Sequence, residues 1–252
     1  MPLLSSLLSG LAVATLASEK AVPLSSHTTS CGIFGLPFPT WIPLLSGPCT
    51  PPPPTGLQSQ TCFIRVKDTT GKDYGYLKPE WSNFGLYNQF CPTIEDALKV
   101  SFEYDPSAPS GFSMKAVNTP ESQAAFPFLG AFTCSWDDGI VGGPEKFAPM
   151  AGVPETPQGS TPVSGENSFT QRSGETDTKF ESAIWNYDSD TQELTTQWIN
   201  LDEDKTIVAT QIVYIYDFAQ QPLVLTDDPE GLNAERGANY PEMTFTCEPT
   251  TS

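Results

Sequence analysis

Residues 182–200 read SAIWNYDSDTQELTTQWIN, and residues 207–216 follow with IVATQIVYIY. Both stretches are rich in β-branched and aromatic residues, which favour an extended backbone over a helix. The polar run from Asp188 to Glu193 interrupts the first stretch and has the composition of a turn. We therefore predict a β-hairpin over residues 182–199. In the second stretch, apolar residues occur at both odd and even positions and so lie on both faces of a strand. This pattern predicts a central strand covered on both sides.

The predicted hairpin has a definite pairing. If Tyr187 pairs with Leu194, antiparallel counting places Trp185 opposite Thr196. Because side chains alternate across a strand, all the aromatic residues of the hairpin then share one face. That face is formed by Ala183, Trp185, Tyr187, Leu194, Thr196 and Trp198. A large aromatic face is usually half of a hydrophobic core, and the alternative is an exposed platform on which sugar rings stack.

The rest of the chain indicates the same class of structure. Short β-rich runs bounded by turn sequences recur along it, and helical periodicity nowhere exceeds two turns. The predicted strands cover residues 62–66, 74–77, 98–104, 112–117, 126–134, 223–225 and 243–247. We therefore predict an all-β fold. An antiparallel β-sandwich is favoured, with a closed β-barrel or a trefoil as alternatives.

The start of the chain has the pattern of a secretory signal. Residues 1–17 form an uncharged stretch rich in Leu and Ala that is too short to span a membrane. Small residues at the expected positions favour cleavage after Ala17, with Ala14 as the alternative. We therefore expect a secreted, extracellular protein that has no membrane segment after cleavage.

Composition divides the remainder into an arm and a domain. Residues 18–60 are dense in Pro, Ser and Thr, which predicts an arm outside the sheet because proline has no backbone donor. Residues 61–252 have the length of a single all-β domain. Within that domain, residues 142–178 are poor in aliphatic side chains and are predicted to form a long loop.

The cysteines indicate an oxidising compartment. All six lie beyond the predicted signal, at Cys31, Cys49, Cys62, Cys91, Cys134 and Cys247. An even number in a secreted chain predicts three disulfides, with fifteen pairings open and Cys31 with Cys49 suggested only by proximity. A zinc site is disfavoured because no two cysteines form a C-x-x-C pair and His27 is the only histidine.

The charge narrows the choice of partners. The formal net charge is −18, from 30 acidic and 12 basic residues. Nucleic acid and anionic membrane surfaces are therefore not expected as partners. The sequence contains no phosphate loop, dinucleotide fingerprint or G-x-S-x-G motif, so neither a cofactor nor a metal is predicted.

Carboxylates are the main catalytic groups that the composition offers. With His27 in the arm, a Ser-His-Asp or Cys-His site would have no base within the β domain. An acid glycosidase needs only two carboxylates, one protonated and one ionised. The carboxylates flanked by aromatic residues are Glu80, Asp137, Asp138 and Glu181. Acidic loops at residues 188–193 and 202–204 also raise the hypothesis of calcium ligands.

A resemblance to a known family accompanies these patterns. Residues 182–200 are its most distinctive part, and it extends over residues 75–77, 81–85, 126–132 and 240–247. Across these segments the chain resembles a family of secreted, β-rich proteins from basidiomycete fungi for which no activity is known. The resemblance implies a secreted fungal β-protein and supplies no catalytic residues.

These observations favour a non-catalytic wall or surface protein that binds polysaccharide. On that hypothesis the binding residues are Trp185, Tyr187 and Trp198, the large aromatics of the predicted hairpin. One alternative is an acid glycosidase-like hydrolase that uses paired carboxylates. The other is a structural or protein-interaction role without a sugar site.

The charge composition makes a prediction about solubility. Since the isoelectric point calculated from the sequence is about 4.2, solubility should pass through a minimum near pH 4, where most carboxylates become protonated. Electrophoretic mobility and light scattering across pH 3 to 8 would measure this. A protein that is equally anionic and equally soluble at pH 4 and pH 7 would contradict it.

Overall fold

Fourteen strands and two α-helices make up the part of the chain described by the computed structural model, which covers residues 56–134, 139–140, 143 and 146–250. The strands are β1 (Gln58–Asp68), β2 (Asp73–Leu77), β3 (Phe90–Cys91), β4 (Lys99–Tyr104), β5 (Met114–Ala116), β6 (Phe128–Cys134), β7 (Ala148–Val153), β8 (Val163–Ser164), β9 (Thr178–Glu181), β10 (Trp185–Tyr187), β11 (Glu193–Ile199), β12 (Ile207–Tyr214), β13 (Leu223–Thr226) and β14 (Glu242–Pro249). The helices are α1 (Ser168–Ser173) and α2 (Pro229–Arg236), and two 3-10 turns cover Ile94–Asp96 and Glu121–Gln123. Among these described helices, none has the length and apolar character needed to cross a membrane.

All the strand pairs are antiparallel, and eight strands form a closed ring. Hydrogen-bonded neighbours follow one another in the order β1, β4, β5, β6, β7, β13, β12, β14 and back to β1. The remaining strands attach to this ring: β2 and β3 beside β1, β8 and β9 beside β6, and β10 and β11 beside β12 and β14. The all-β class predicted from the sequence is confirmed, and the ring of strands is consistent with the favoured sandwich.

The ring closes where the first and last strands meet. β1 and β14 pair over seven positions, from Cys62 opposite Pro249 to Asp68 opposite Met243. A disulfide between Cys62 and Cys247 crosses the same pair of strands and joins residues 185 positions apart. A cross-link reduces the conformational entropy of the unfolded chain. For a loop of this length, that effect stabilises the folded state by about 5 kcal/mol.

Of the six cysteines, the structure describes the side chains of Cys62, Cys91 and Cys247, so three disulfides remain a prediction. Cys91 carries a free thiol, buried beside the carbonyl oxygens of Tyr76 and Thr93 at 3.5 Å each. Burial raises the pKa of this thiol. The sulfurs of Cys62 and Cys247 are bonded to each other, so Cys91 has no partner among the side chains that the structure describes. Cys31, Cys49 and the side chain of Cys134 lie outside the described set, as do the predicted signal and most of the arm.

The central hairpin has the predicted register, with Tyr187 opposite Leu194 and Trp185 opposite Thr196. Its aromatic face is part of the core: Trp185 and Trp198 have no exposed surface, and Tyr187 is 5% exposed. The indole N–H of Trp185 donates to the carbonyl of Leu129 at 2.7 Å. The proposed sugar platform on Trp185, Tyr187 and Trp198 is therefore corrected. These side chains face the inside of the ring, where the other strands cover them.

The stretch predicted as a long loop, residues 142–178, contains β7, β8 and α1 and ends where β9 begins. Small side chains explain the difference, because β7 reads APMAGV and packs tightly. A Cβ atom added at Gly152 would lie 2.6 Å from the Trp81 ring. Larger side chains would not fit this close to the ring, so small residues occupy these core positions. A strand built from such residues lacks the aliphatic pattern by which strands are predicted from sequence.

The strand over residues 207–216 is covered on both sides only in its second half. Ile207 is 61% exposed, and Ala209 and Gln211 also face solvent. From Val213 onward the outer face packs against Leu232 of α2 and against Tyr240. Because the covering helix reaches only one end of β12, the first half of the strand has one wet face despite its apolar composition.

Burial of the hairpin predicts how it responds to truncation. Trp185→Ala should lower the free energy of unfolding by about 3 to 5 kcal/mol, the range for large aromatic deletions in a core. Chemical denaturation of parent and variant would measure the change. Ile207→Ala serves as the control on an exposed strand position and should cost about 0.5 kcal/mol or less. Equal effects of the two substitutions would contradict the burial of Trp185.

Candidate functional site

A cleft lined by four tyrosines opens at one end of the ring of strands. It lies between the β1–β2 turn, the end of β12 and the segment that leads into β14, and it has a volume of about 460 Å³. We call it the tyrosine cleft, after Tyr74, Tyr214, Tyr216 and Tyr240. The rest of its lining is Pro241 and a set of polar residues: Asp68, Thr69, Thr70, Lys72, Asn233, Asn239 and Glu242.

The tyrosine rings form a connected row. The centroid of Tyr214 lies 6.3 Å from that of Tyr74 and 6.5 Å from that of Tyr216, and Tyr216 lies 5.4 Å from Tyr240. All three pairs meet edge to face, the arrangement that aromatic quadrupoles favour. Tyr216 is 45% exposed, while Tyr74 and Tyr214 are half-buried. The row therefore offers apolar ring surface to a ligand without a large solvated patch.

Helix α2 fixes the deep end of the cleft. Its N-terminus is capped by the carboxylate of Asp228, and it ends at Gly237 with a φ of 60°, a left-handed conformation that glycine adopts readily. The helix carries Asn233, whose amide accepts the N–H of Tyr240 at 2.6 Å and donates to its carbonyl at 3.2 Å. The Tyr240 hydroxyl donates to Asp217 at 2.7 Å. Burial, together with this bond to Asp217, raises the pKa of Tyr240 to about 12.

The opposite wall is an equally ordered turn. One oxygen of Asp68 accepts the hydroxyl of Thr70 at 2.6 Å and the backbone N–H groups of Thr70 and Lys72 at 2.9 and 3.0 Å. These bonds lower the pKa of Asp68. The ammonium of Lys72 lies 4.4 Å from the ring centroid of Tyr74 and donates to its hydroxyl at 3.2 Å. Both walls of the cleft are thus held in place before any ligand arrives.

Asp68 does not have the properties of the acid in a glycosidase pair. A glycosidase requires one carboxyl that stays protonated, and the pKa of Asp68 is shifted in the opposite direction. Burial raises the pKa of Glu181 to about 8, but Glu181 is 1% exposed and lies in the interior of the fold. Glu80 is an exposed residue away from the cleft, and Asp137 and Asp138 lie outside the described residues.

In the two acidic loops, aspartate carboxylates accept hydrogen bonds from backbone N–H groups of the same loop. Asp188 accepts the backbone N–H groups of Asp190 and Thr191, and Asp202 accepts that of Thr206. Within the described part of the chain, no group of three or more His, Cys, Asp or Glu side chains could hold a metal ion. The calcium hypothesis therefore gains no support from these loops.

The tyrosine cleft was not predicted from the sequence, although part of its signal is present there. Tyr214 and Tyr216 alternate at the end of a predicted strand, whereas Tyr74 and Tyr240 are distant in sequence.

Comparisons with family profiles, with curated proteins and with solved structures found no match. The assignment of a site to this cleft therefore rests on its geometry.

The raised pKa of Glu181 predicts how the stability of the fold depends on pH. Its carboxyl has an ordinary pKa of 4.5 and a folded-state pKa of about 8, so the unfolded chain loses its proton first as the pH rises. Glu181 therefore contributes most to the free energy of unfolding below pH 4.5, and its contribution declines as the pH rises towards 8. Glu181→Gln should raise the free energy of unfolding at pH 7 by up to about 3 kcal/mol and leave it unchanged at pH 4.

Thermal and urea unfolding of this variant at pH 4 and pH 7 would measure the effect. Glu175→Gln removes the same formal charge from an exposed position and serves as the control for net charge. An equal gain at both pH values, or an equal gain in the control, would contradict the role of burial at Glu181.

Proposed function

We propose that the protein is a secreted, non-catalytic wall or surface protein that binds a neutral polysaccharide in the tyrosine cleft. The observation that carries the proposal is the row of preordered tyrosines with a polar rim. A pyranose ring has apolar C–H faces and a rim of hydroxyl groups. Such a ligand matches a site in which aromatic surface is surrounded by hydroxyl, amide and carboxylate groups.

The rim of the cleft offers both donors and acceptors for sugar hydroxyls. Asn233 and Asn239 carry amides, Thr69 and Thr70 carry hydroxyls, and Glu242 carries a carboxylate. Hydroxyl groups of a sugar both donate and accept, so a mixed rim can satisfy them on burial. A purely apolar ligand would leave these protein groups without partners, which is costly in a partly desolvated cleft.

Charge favours an uncharged polymer over an acidic one. The net charge of −18 repels uronic acid or sulfate groups, whereas a neutral glycan approaches without that penalty. Lys72 is the basic residue of the lining, and its ammonium is already placed over Tyr74. Binding should therefore depend only weakly on salt concentration.

Secretion is part of the proposal and has two kinds of support. The disulfide between Cys62 and Cys247 is typical of proteins that fold in an oxidising compartment. The Leu- and Ala-rich start of the chain has the pattern of a signal, and the resemblance to secreted fungal β-proteins agrees with a role at a cell wall.

The proposal predicts a loss of binding on removal of one exposed ring. Tyr216→Ala should reduce retention on an insoluble glycan at least tenfold and lower the free energy of unfolding by only about 1 kcal/mol, because nearly half of this side chain is already exposed. Pull-down at pH 5 on insoluble β-glucan, chitin and mannan would measure retention.

The matched control is Phe84→Ala, which removes an aromatic ring that is 40% exposed and does not line the cleft. It should be retained like the parent. If the parent binds none of the three polymers, or if Tyr216→Ala is retained as well as Phe84→Ala, the proposed site is wrong.

A further inference from the structure

One further depression adjoins the tyrosine cleft, and a second adjoins the first. The first is a depression of about 360 Å³ lined by residues of β11, β12 and β14, which we call the threonine face. Its exposed or half-buried lining includes Thr69, Asn186, Thr195, Ala209, Gln211 and Thr244. The second, of about 480 Å³, lies beyond the hairpin and is called the end cleft. It is lined by Tyr104, Pro106, Pro109, Ser110 and Tyr187.

The three depressions share their borders. Thr69 and Glu242 line both the tyrosine cleft and the threonine face. Asn186, Glu193 and Thr195 line both the threonine face and the end cleft. A continuous track therefore runs from the tyrosine cleft over the threonine face to the end cleft.

Strand pairing gives the scale of this track. Between Glu242 and Asn186 it passes β14, β12, β11 and β10, and β11 pairs with both β12 and β14. Adjacent strands lie about 4.8 Å apart, so the shorter path, from β14 over β11 to β10, spans roughly 10 Å. This distance accommodates a short run of pyranose units, with a cleft at each end for additional units.

Alternation of side chains explains why the exposed part of the middle section is polar. On β11, Leu194 and Thr196 point into the core, which leaves Glu193 and Thr195 on the outer surface. Asn186 pairs with Thr195 on that same side, and its amide lies 3.5 Å from the Thr195 hydroxyl. The exposed lining thus consists mainly of hydroxyl and amide side chains, together with the carboxylates of Glu193 and Glu242, and contains no aromatic ring.

We infer that this track binds an extended neutral glycan chain over several subsites, with its first units in the tyrosine cleft and later units on the threonine face and in the end cleft. The inference rests on the proposed function and specifies its ligand as a polymer chain rather than a chain end or a single sugar. No Lys or Arg lines the threonine face or the end cleft, while Asp188 and Glu193 do. The track therefore disfavours anionic polymers along its whole length.

Affinity as a function of chain length tests the inference. The probes are β-1,3-gluco-oligosaccharides and chito-oligosaccharides of two to eight units, measured by titration calorimetry with the full secreted protein. For the series that binds, affinity should rise at least tenfold between the trimer and the octamer. Ala209→Arg places a long side chain in the middle of the threonine face and should remove this gain while leaving trimer affinity unchanged.

Ala124→Arg is the matched control, since it introduces the same side chain at an exposed position that does not line the track. It should preserve the tenfold gain, and thermal melting of both variants would verify folding. If trimers bind and Tyr216→Ala abolishes their binding, but affinity is flat with length or Ala209→Arg retains the gain, the extended track is wrong and the tyrosine cleft stands. If the parent binds neither oligosaccharide series nor any of the insoluble polymers, both the cleft and the track are wrong.

Discussion

The pairing of β1 with β14 is the constraint on which the rest of the fold depends. These strands lie near opposite ends of the described chain, and their seven-position ladder, with the disulfide between Cys62 and Cys247, closes the ring. Contacts of such long sequence separation require a large loss of chain entropy before they form. The covalent cross-link offsets part of that cost by restricting the unfolded chain.

Closure of the ring also determines which side chains of β14 face the core and which face solvent. Within β14, Met243, Phe245 and Cys247 point into the core, while Glu242 and Thr244 alternate with them on the outside. The inward side chains complete the core around the central hairpin. The outward ones form part of the tyrosine cleft and the threonine face. One strand thereby connects the stability of the fold to the surface proposed to bind glycan.

The fold carries one electrostatic cost that an acidic medium relieves. Glu181 is buried with a single hydrogen bond, from the backbone N–H of Ile199 at 3.4 Å, and burial favours its neutral form. Its other carboxyl oxygen has no partner among the residues that the structure describes. The net charge of −18 acts in the same direction, because self-repulsion weakens as carboxylates become protonated. Both effects favour the folded protein at mildly acidic pH.

The sequence by itself determined the β class, most strand positions and the register of the hairpin, because alternation and turn composition are local properties of the chain. It did not reveal β7, whose small residues pack closely against the Trp81 ring. It also could not choose between core and platform for Trp185, since that depends on which distant strands cover the face. The tyrosine cleft was decided only by tertiary structure. Tyr74, Tyr216 and Tyr240 come from separate segments, and they meet only when β14 lies between β1 and β12.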